Sequence, residues 1–312
     1  MKTIAKYFVL AIFAAVQSQA TDKYTGFPNP VSITSDGTHL WVVSQLSGRQ
    51  HTGSVIEITQ TGEAVHTVAL TAPSYLTGSD YDGKHIWVAG ASESGAGTLT
   101  EIDLAGKIVR TVTVGDGPYG VTYDGIGGIW VANELSHNVM KVAAGDGAIL
   151  ATVSVGVHTP YLMALDGAGN VWVSCLPRTV YVVNLATAKV AATYTYSIGK
   201  LQTDTGIAFD GTNIWIADAY DGVVFKVDPA TGANLQTVTV GKYPSYIAFD
   251  GANLWVSNLD GGDVAKIDPR AGTVLGAMAV GAEPVSVTVA KGYAWTANNT
   301  EGSITRVTIR PQ

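Results

Sequence analysis

Apolar positions along this chain fall in short runs rich in Val, Ile, Ala and Thr, and each run stops at a turn signal such as Asp-Gly or Asp-Pro-Ala-Thr-Gly. The i, i+3, i+4, i+7 spacing of an amphipathic helix is absent throughout, so the pattern predicts strands and argues against a helical repeat array. Residues 206–240 show the unit clearly. A first strand is predicted over 206–209, ending at the Asp210-Gly211 turn, and a second over 213–217. A third runs over 223–227 into Asp228-Pro229-Ala230-Thr231-Gly232, a type I turn with Gly at its left-handed position. A fourth spans 235–240 and closes at Gly241.

This unit recurs. The seven Trp residues are 41, 87, 130, 172, 215, 255 and 295, spaced by 46, 43, 42, 43, 40 and 40 residues, and no Trp lies outside the series. Six follow an Asp-Gly pair (Asp36-Gly37, Asp82-Gly83, Asp124-Gly125, Asp166-Gly167, Asp210-Gly211 and Asp250-Gly251), and the seventh follows Lys291-Gly292. Four strands per repeat of this length predict an all-β, seven-bladed β-propeller of four-stranded antiparallel blades. The last repeat holds only three strands, over 285–289, 293–297 and 303–309. The segment 22–27 is expected to supply the missing outer strand and so remove an exposed sheet edge.

Composition narrows the class. Of 312 residues, 46% are hydrophobic and only 14% charged, with 36 Gly, which fits a packed all-β protein and excludes a disordered chain. A single Cys, Cys175, excludes an intramolecular disulfide and any thiolate metal cluster. The net charge of −7 offers no basic field for nucleic acid. Lys2 and Lys6, the apolar run 7–16 and Ser18-Gln19-Ala20 follow the order of a secretory signal peptide. Residues 1–20 are therefore expected to be removed near Ala20. That would leave 21–312 as one secreted or periplasmic domain, monomeric and without a transmembrane segment.

Phrases such as Asp210-Gly211-Thr212-Asn213-Ile214-Trp215-Ile216-Ala217 and Lys226-Val227-Asp228-Pro229-Ala230-Thr231-Gly232 resemble the YVTN/NHL-type seven-bladed propellers, over nearly the whole chain after residue 20. That superfamily includes virginiamycin B (streptogramin) lyases, gluconolactonase-like lactonases and secreted propellers that only bind. The resemblance implies the fold and leaves both functions open. The lyases usually follow the Trp with Phe-Thr-Glu. Here the third position after each Trp reads Ser44, Gly90, Asn133, Cys175, Asp218, Asn258 and Asn298. The lyases also carry Pro-His before a first strand, where this chain has Pro30-Val31, Pro118-Tyr119, Pro160-Tyr161, Pro244-Ser245 and Pro284-Val285.

In a propeller the loops leading into the innermost strand and those joining the second strand to the third share one face, around the central channel. Acids, amides and aromatics gather there, whereas the Asp-Gly turns of the other face read as hairpin chemistry. Tyr119, Tyr161, Tyr246, Tyr220, Asn299 and Glu301 are the candidate ligand-binding residues, for a peptide, glycan or protein partner. His137, His158 and Glu134 are the candidate catalytic group of the alternative reading, a metal-dependent lyase or lactonase. Asn133, Asp218, Asn258 and Asn298 share one column and are expected to point at the axis, suited to calcium or magnesium. His39, His66 and His85 read as structural or solvated. Cys175 reads as a buried small hydrophobe.

Overall fold

The structure is a computed structural model and describes residues 21–45, 52–70, 75–196 and 206–309. The proposed signal peptide and residues 46–51, 71–74, 197–205 and 310–312 lie outside the described residues. Seven four-stranded sheets follow one another along the chain. Blades one to six span 30–70, 75–114, 118–154, 159–195, 207–239 and 244–279, each running from the inner strand outward. Every neighbouring pair of strands that is joined is antiparallel, as in Trp130↔Lys141 of blade three. In the unit read above, the observed strands are Ile207–Phe209, Ile214–Asp218, Val223–Val227 and Asn234–Thr239. Each boundary lies within a residue of the expectation.

Blade seven closes the ring as expected. Its strands Pro284–Ala290, Tyr293–Asn298 and Ser303–Thr308 are completed on the outside by Thr21–Thr25, which pairs antiparallel with Ser303–Thr308 from Thr21↔Val307 to Thr25↔Ser303. Arg306 ties the joint: it pairs with Asp22 and lies 4.4 Å from the Tyr293 ring. Tyr24 stacks on Trp295 at 5.9 Å.

The core is a set of seams between blades. Trp130 packs with Met163, Val171 and Val173 of blade four, and Trp295 packs with Ile33, Leu40 and Val42 of blade one. All seven Trp side chains are fully buried, each facing the following blade. Strand alternation then turns the next residue back toward the preceding blade, and Val131 accordingly packs with Trp87 and Ala89. One recurring position per blade therefore fills one seam, which explains the strict spacing.

The Asp-Gly turns do more than close hairpins. In six blades the Asp accepts the indole N–H of its Trp, from Trp215 to Asp210 and Trp255 to Asp250 at 2.7 Å up to Trp130 to Asp124 at 3.3 Å. The other carboxylate oxygen takes turn N–H groups, such as those of Thr212 and Asn213 on Asp210. Blade seven differs. Lys291 and Gly292 are the two turn residues, both with positive φ, and Ala290 pairs with Tyr293 across the turn. Ala290 thus occupies the Asp position, and Trp295 Nε1 is buried without a hydrogen-bond partner.

Candidate functional site

The inner strands of blades two to four approach closely because Gly stands where a side chain would collide. A Cβ on Gly78 would meet the Tyr119 carbonyl at 2.3 Å, and one on Gly120 would meet the Tyr161 carbonyl at 2.3 Å. This approach sets the Tyr119 and Tyr161 rings edge to face, with centroids 5.1 Å apart. Glu134, from the loop after the second strand of blade three, accepts the Tyr161 hydroxyl at 3.0 Å. The backbone N–H of Glu134 is fixed on the Gly117 carbonyl at 2.8 Å.

Two hollows meet at Tyr119. One, of about 160 Å³, opens on the central channel between Gln45, Thr77, Tyr119, Leu162, Tyr246 and Val285. The other is a groove of about 390 Å³ between blades two and three, lined by Tyr75, Thr77, Ser92, Glu93, Tyr119 and Glu134. Tyr75 is exposed at its rim. Together they form a surface with aromatic walls and two carboxylates. Tyr246 lines the channel half, where burial and the nearby Asp80 charge push its phenol up to about 12.

Asp80, which the sequence reading passed over, lies on the inner strand of blade two. Burial pushes its carboxyl up to about 6, against the opposing N–H bonds of Tyr123 and Tyr81. The signal was present in the sequence. The inner-strand residue facing each Trp is otherwise Thr or Ala (Thr34, Thr122, Ala164, Ala208, Ala248 and Thr288), and Asp80 is the one charged member.

The expected catalytic group is on this face, but its members bond to other groups. His137, exposed and at φ 50°, donates from Nδ1 to the His158 carbonyl at 3.0 Å. His158 Nδ1 lies 2.9 Å from the Tyr181 hydroxyl, and the Glu134 carboxylate is bound to Tyr161. The two histidines are adjacent, as the blade order implied, yet no side-chain bond joins them to Glu134.

Of the column expected at the axis, Asn133, Asp218, Asn258 and Asn298, the three Asn side chains pack against the preceding blade. Three residues beyond Trp, alternation points the side chain at the preceding blade, and there it fits against glycine. A Cβ on Gly115, Gly241 or Gly281 would meet Asn133, Asn258 or Asn298 within 2.7 Å. Asn133 Nδ2 donates to Asn138 at 2.8 Å, Asn258 Nδ2 to Asp263 at 2.6 Å and Asn298 Nδ2 to Ser303 at 3.0 Å. Asp218 instead accepts the N–H groups of Tyr220 and Asp221, each at 3.1 Å. These contacts hold the three Asn side chains in the seams and Asp218 in its turn, and the Oδ1 atoms of Asn133 and Asn258 are buried without a hydrogen-bond partner.

Asn299 and Glu301 serve ring closure. Asn299 Nδ2 donates to the Pro30 carbonyl of blade one at 3.3 Å, and Glu301 pairs with Lys23 of the closing strand at 2.7 Å. Tyr220 is exposed on the blade-five loop. Cys175 is buried, and burial pushes its thiol far up, as for an inert packing residue. On the turn face, a hollow of about 480 Å³ lies between blades five and six beside Asp210, Lys226 and Arg270. The ligand atoms of Asp36, His39 and Glu57 lie within 4.8 Å of one another on the turn side of blade one. Among the described residues no helix is long and apolar enough to cross a membrane.

No protein-family model matches the chain, and no curated protein matches its sequence. Solved structures do match its fold. A streptogramin B lyase is 17% identical with a TM-score of 0.75, over 93% of this chain and 98% of that one. The virginiamycin B lyase of Staphylococcus aureus is 15% identical with a TM-score of 0.73, over 93% and 99%. Hydrazine synthase of Kuenenia stuttgartiensis is 16% identical with a TM-score of 0.74, over 91% and 96%. Identities this low carry the architecture and no activity. The chain is a seven-bladed β-propeller of the architecture that streptogramin B lyases also have.

Proposed function

We propose that this propeller is a binding module that holds a peptide, glycan or protein partner against the loop-rich face, in the hollow that runs from the channel mouth to the groove between blades two and three. The observation that carries this reading is Tyr119, which lines both hollows and is set edge to face against Tyr161, itself held by Glu134. Rigid tyrosines offer stacking area and polar tips at low entropy cost. Glu93 and Glu134 in the groove, with an overall charge of −7, favour neutral or basic ligands over polyanions.

Arrays of neutral oligosaccharides and of basic and acidic peptides, probed with the intact protein, test the reading. Binding to neutral or basic members is expected, and Tyr119→Ala with Tyr161→Ala should weaken it at least about tenfold, a loss of roughly 1.4 kcal/mol. Ligand binding that survives this double change removes the role of the pair. The lyase and lactonase reading on the same face is assayed in parallel with lactones and a cyclic depsipeptide. Turnover abolished by Glu134→Gln or His137→Ala would replace binding by catalysis as the function.

A further inference from the structure

The turn side of the blades carries a charge pattern that reverses in blades one and two. In four blades the third-strand residue opposite the Trp is a cation lying over the indole, and in blade four it is Val182. Lys141, Lys226, Lys266 and Arg306 sit 5.3, 5.6, 5.3 and 5.7 Å from the ring centroids of Trp130, Trp215, Trp255 and Trp295. Blades one and two place Glu57 and Glu101 there instead. Both carboxylates are buried, with side chains 3% and 0% exposed. A carboxylate so placed needs positive charge beside it.

Blade two supplies a permanent cation. Arg110 Nε lies 2.5 Å from Glu101 Oε2, and His85 Nδ1 lies 3.0 Å from Oε1. In blade one the residue paired with the Glu on the outer strand is His66, where blade two has Arg110. His66 Nδ1 contacts Glu57 Oε2, and His39 Nδ1 is 2.8 Å from Glu57 Oε1. Asp36 stands beside them. Burial would raise its carboxyl, but the N–H groups of Trp41, His39 and Thr38 hold it below the ordinary range. Two carboxylates thus meet two imidazoles, and no Lys or Arg ion pair reaches either acid among the described residues.

We propose that this corner of blade one binds a divalent transition-metal ion of the zinc class, with Asp36, His39 and Glu57 as ligands and His66 holding the far oxygen of Glu57. The three ligand atoms already lie within 4.8 Å of one another. An imidazole among carboxylates suits zinc and its neighbours better than calcium or magnesium, which favour all-oxygen shells. The His66 contact is the outer bond that orients a ligating carboxylate. His39, with its side chain 33% exposed, leaves a path from solvent. Blade two keeps the same Asp82, His85 and Glu101, but its guanidinium takes the place of the ion's charge.

The test titrates EDTA-stripped protein with Zn²⁺ alone by calorimetry and counts bound ions by native mass spectrometry. One ion per chain is expected. His39→Ala should weaken binding at least about tenfold, while His85→Ala in blade two leaves it unchanged. His66→Arg, which copies blade two into blade one, should abolish binding with the fold retained by circular dichroism. If His66→Arg does not fold, His39→Ala decides the question, since that side chain is partly exposed. Wild-type protein that binds no Zn²⁺, or that keeps its affinity in His39→Ala, overturns the site. The groove between blades two and three takes no part in this experiment, so its result and the ligand-array result are independent.

Discussion

The indole of each Trp shows how one atom's hydrogen bond sets local stability. Trp215 Nε1 donates to Asp210 at 2.7 Å, whereas Trp295 Nε1 is buried without an acceptor because Ala290 stands in the Asp position. Trp215→Phe and Trp295→Phe remove similar volume, but only the first gives up a hydrogen bond. Trp215→Phe should therefore destabilise by about 1 kcal/mol more, read from urea denaturation midpoints at constant m. Asp80 gives a pH signature at the same scale. Its folded-state carboxyl is raised to about 6 from 3.8, mainly by burial, so the folded chain holds a proton that the unfolded chain releases. Stability contributed by that proton is full below about pH 4 and is lost as pH rises to about 6. Asp80→Asn should remove this slope and stabilise the protein at pH 8 by roughly 2 kcal/mol, with little gain at pH 4. A slope in thermal midpoint between pH 4 and 6 that persists in Asp80→Asn would refute the assignment.

At the scale of the element, the inner strands are set by glycine. Gly120 lets the strand of blade three lie against the Tyr161 carbonyl, and a methyl there meets backbone, which cannot swing aside. Gly120→Ala is expected to cost about 1–3 kcal/mol and to separate the Tyr119 and Tyr161 rings. Tyrosine fluorescence is masked by seven Trp, so the separation is best followed by NMR of the two rings. Gly125→Ala is the contrast, because nothing lies within 4 Å of its Cβ direction. Its cost comes from φ +76° alone and should be nearer 1 kcal/mol, with the two rings undisturbed.

At the scale of the whole molecule, the ring is held shut by a strand from the other end of the chain. Deleting residues 21–25 strips blade seven of its outer strand and exposes the edge Ser303–Thr308. It also frees Arg306 from Asp22 and uncovers Trp295 from Tyr24. A clear fall in melting temperature and the appearance of dimers or aggregates by size-exclusion chromatography are expected. Lys23→Ala, which removes only an exposed ion pair with Glu301, should change stability by less than about 1 kcal/mol. If the deletion melts no lower than the full chain, closure by this strand is not what holds the ring.

The blade count and the strand boundaries of the 206–240 unit were legible in the sequence, and the closing segment was legible to within two residues, 22–27 being expected and Thr21–Thr25 observed. A propeller needs the same large apolar residue at the same place in every seam, and Trp with its Asp-Gly turn marks that place seven times with one substitution at Ala290. The loop-rich face was legible too, since it follows from strand order. Direction and proximity were decided by the tertiary structure. Asn133, Asn258 and Asn298 share a column, yet they face the preceding blade because the Trp three residues earlier faces the following one. Glu134 meets Tyr161 across 27 residues, while His137, beside it in sequence, turns to the His158 main chain. Asp36 and His39 come from one turn and Glu57 from a strand, and His66 joins from the neighbouring strand. Spacing along a chain fixes which residues share a layer. Which of them touch depends on the pleat and the packing of neighbouring sheets, and that is settled only when the ring closes.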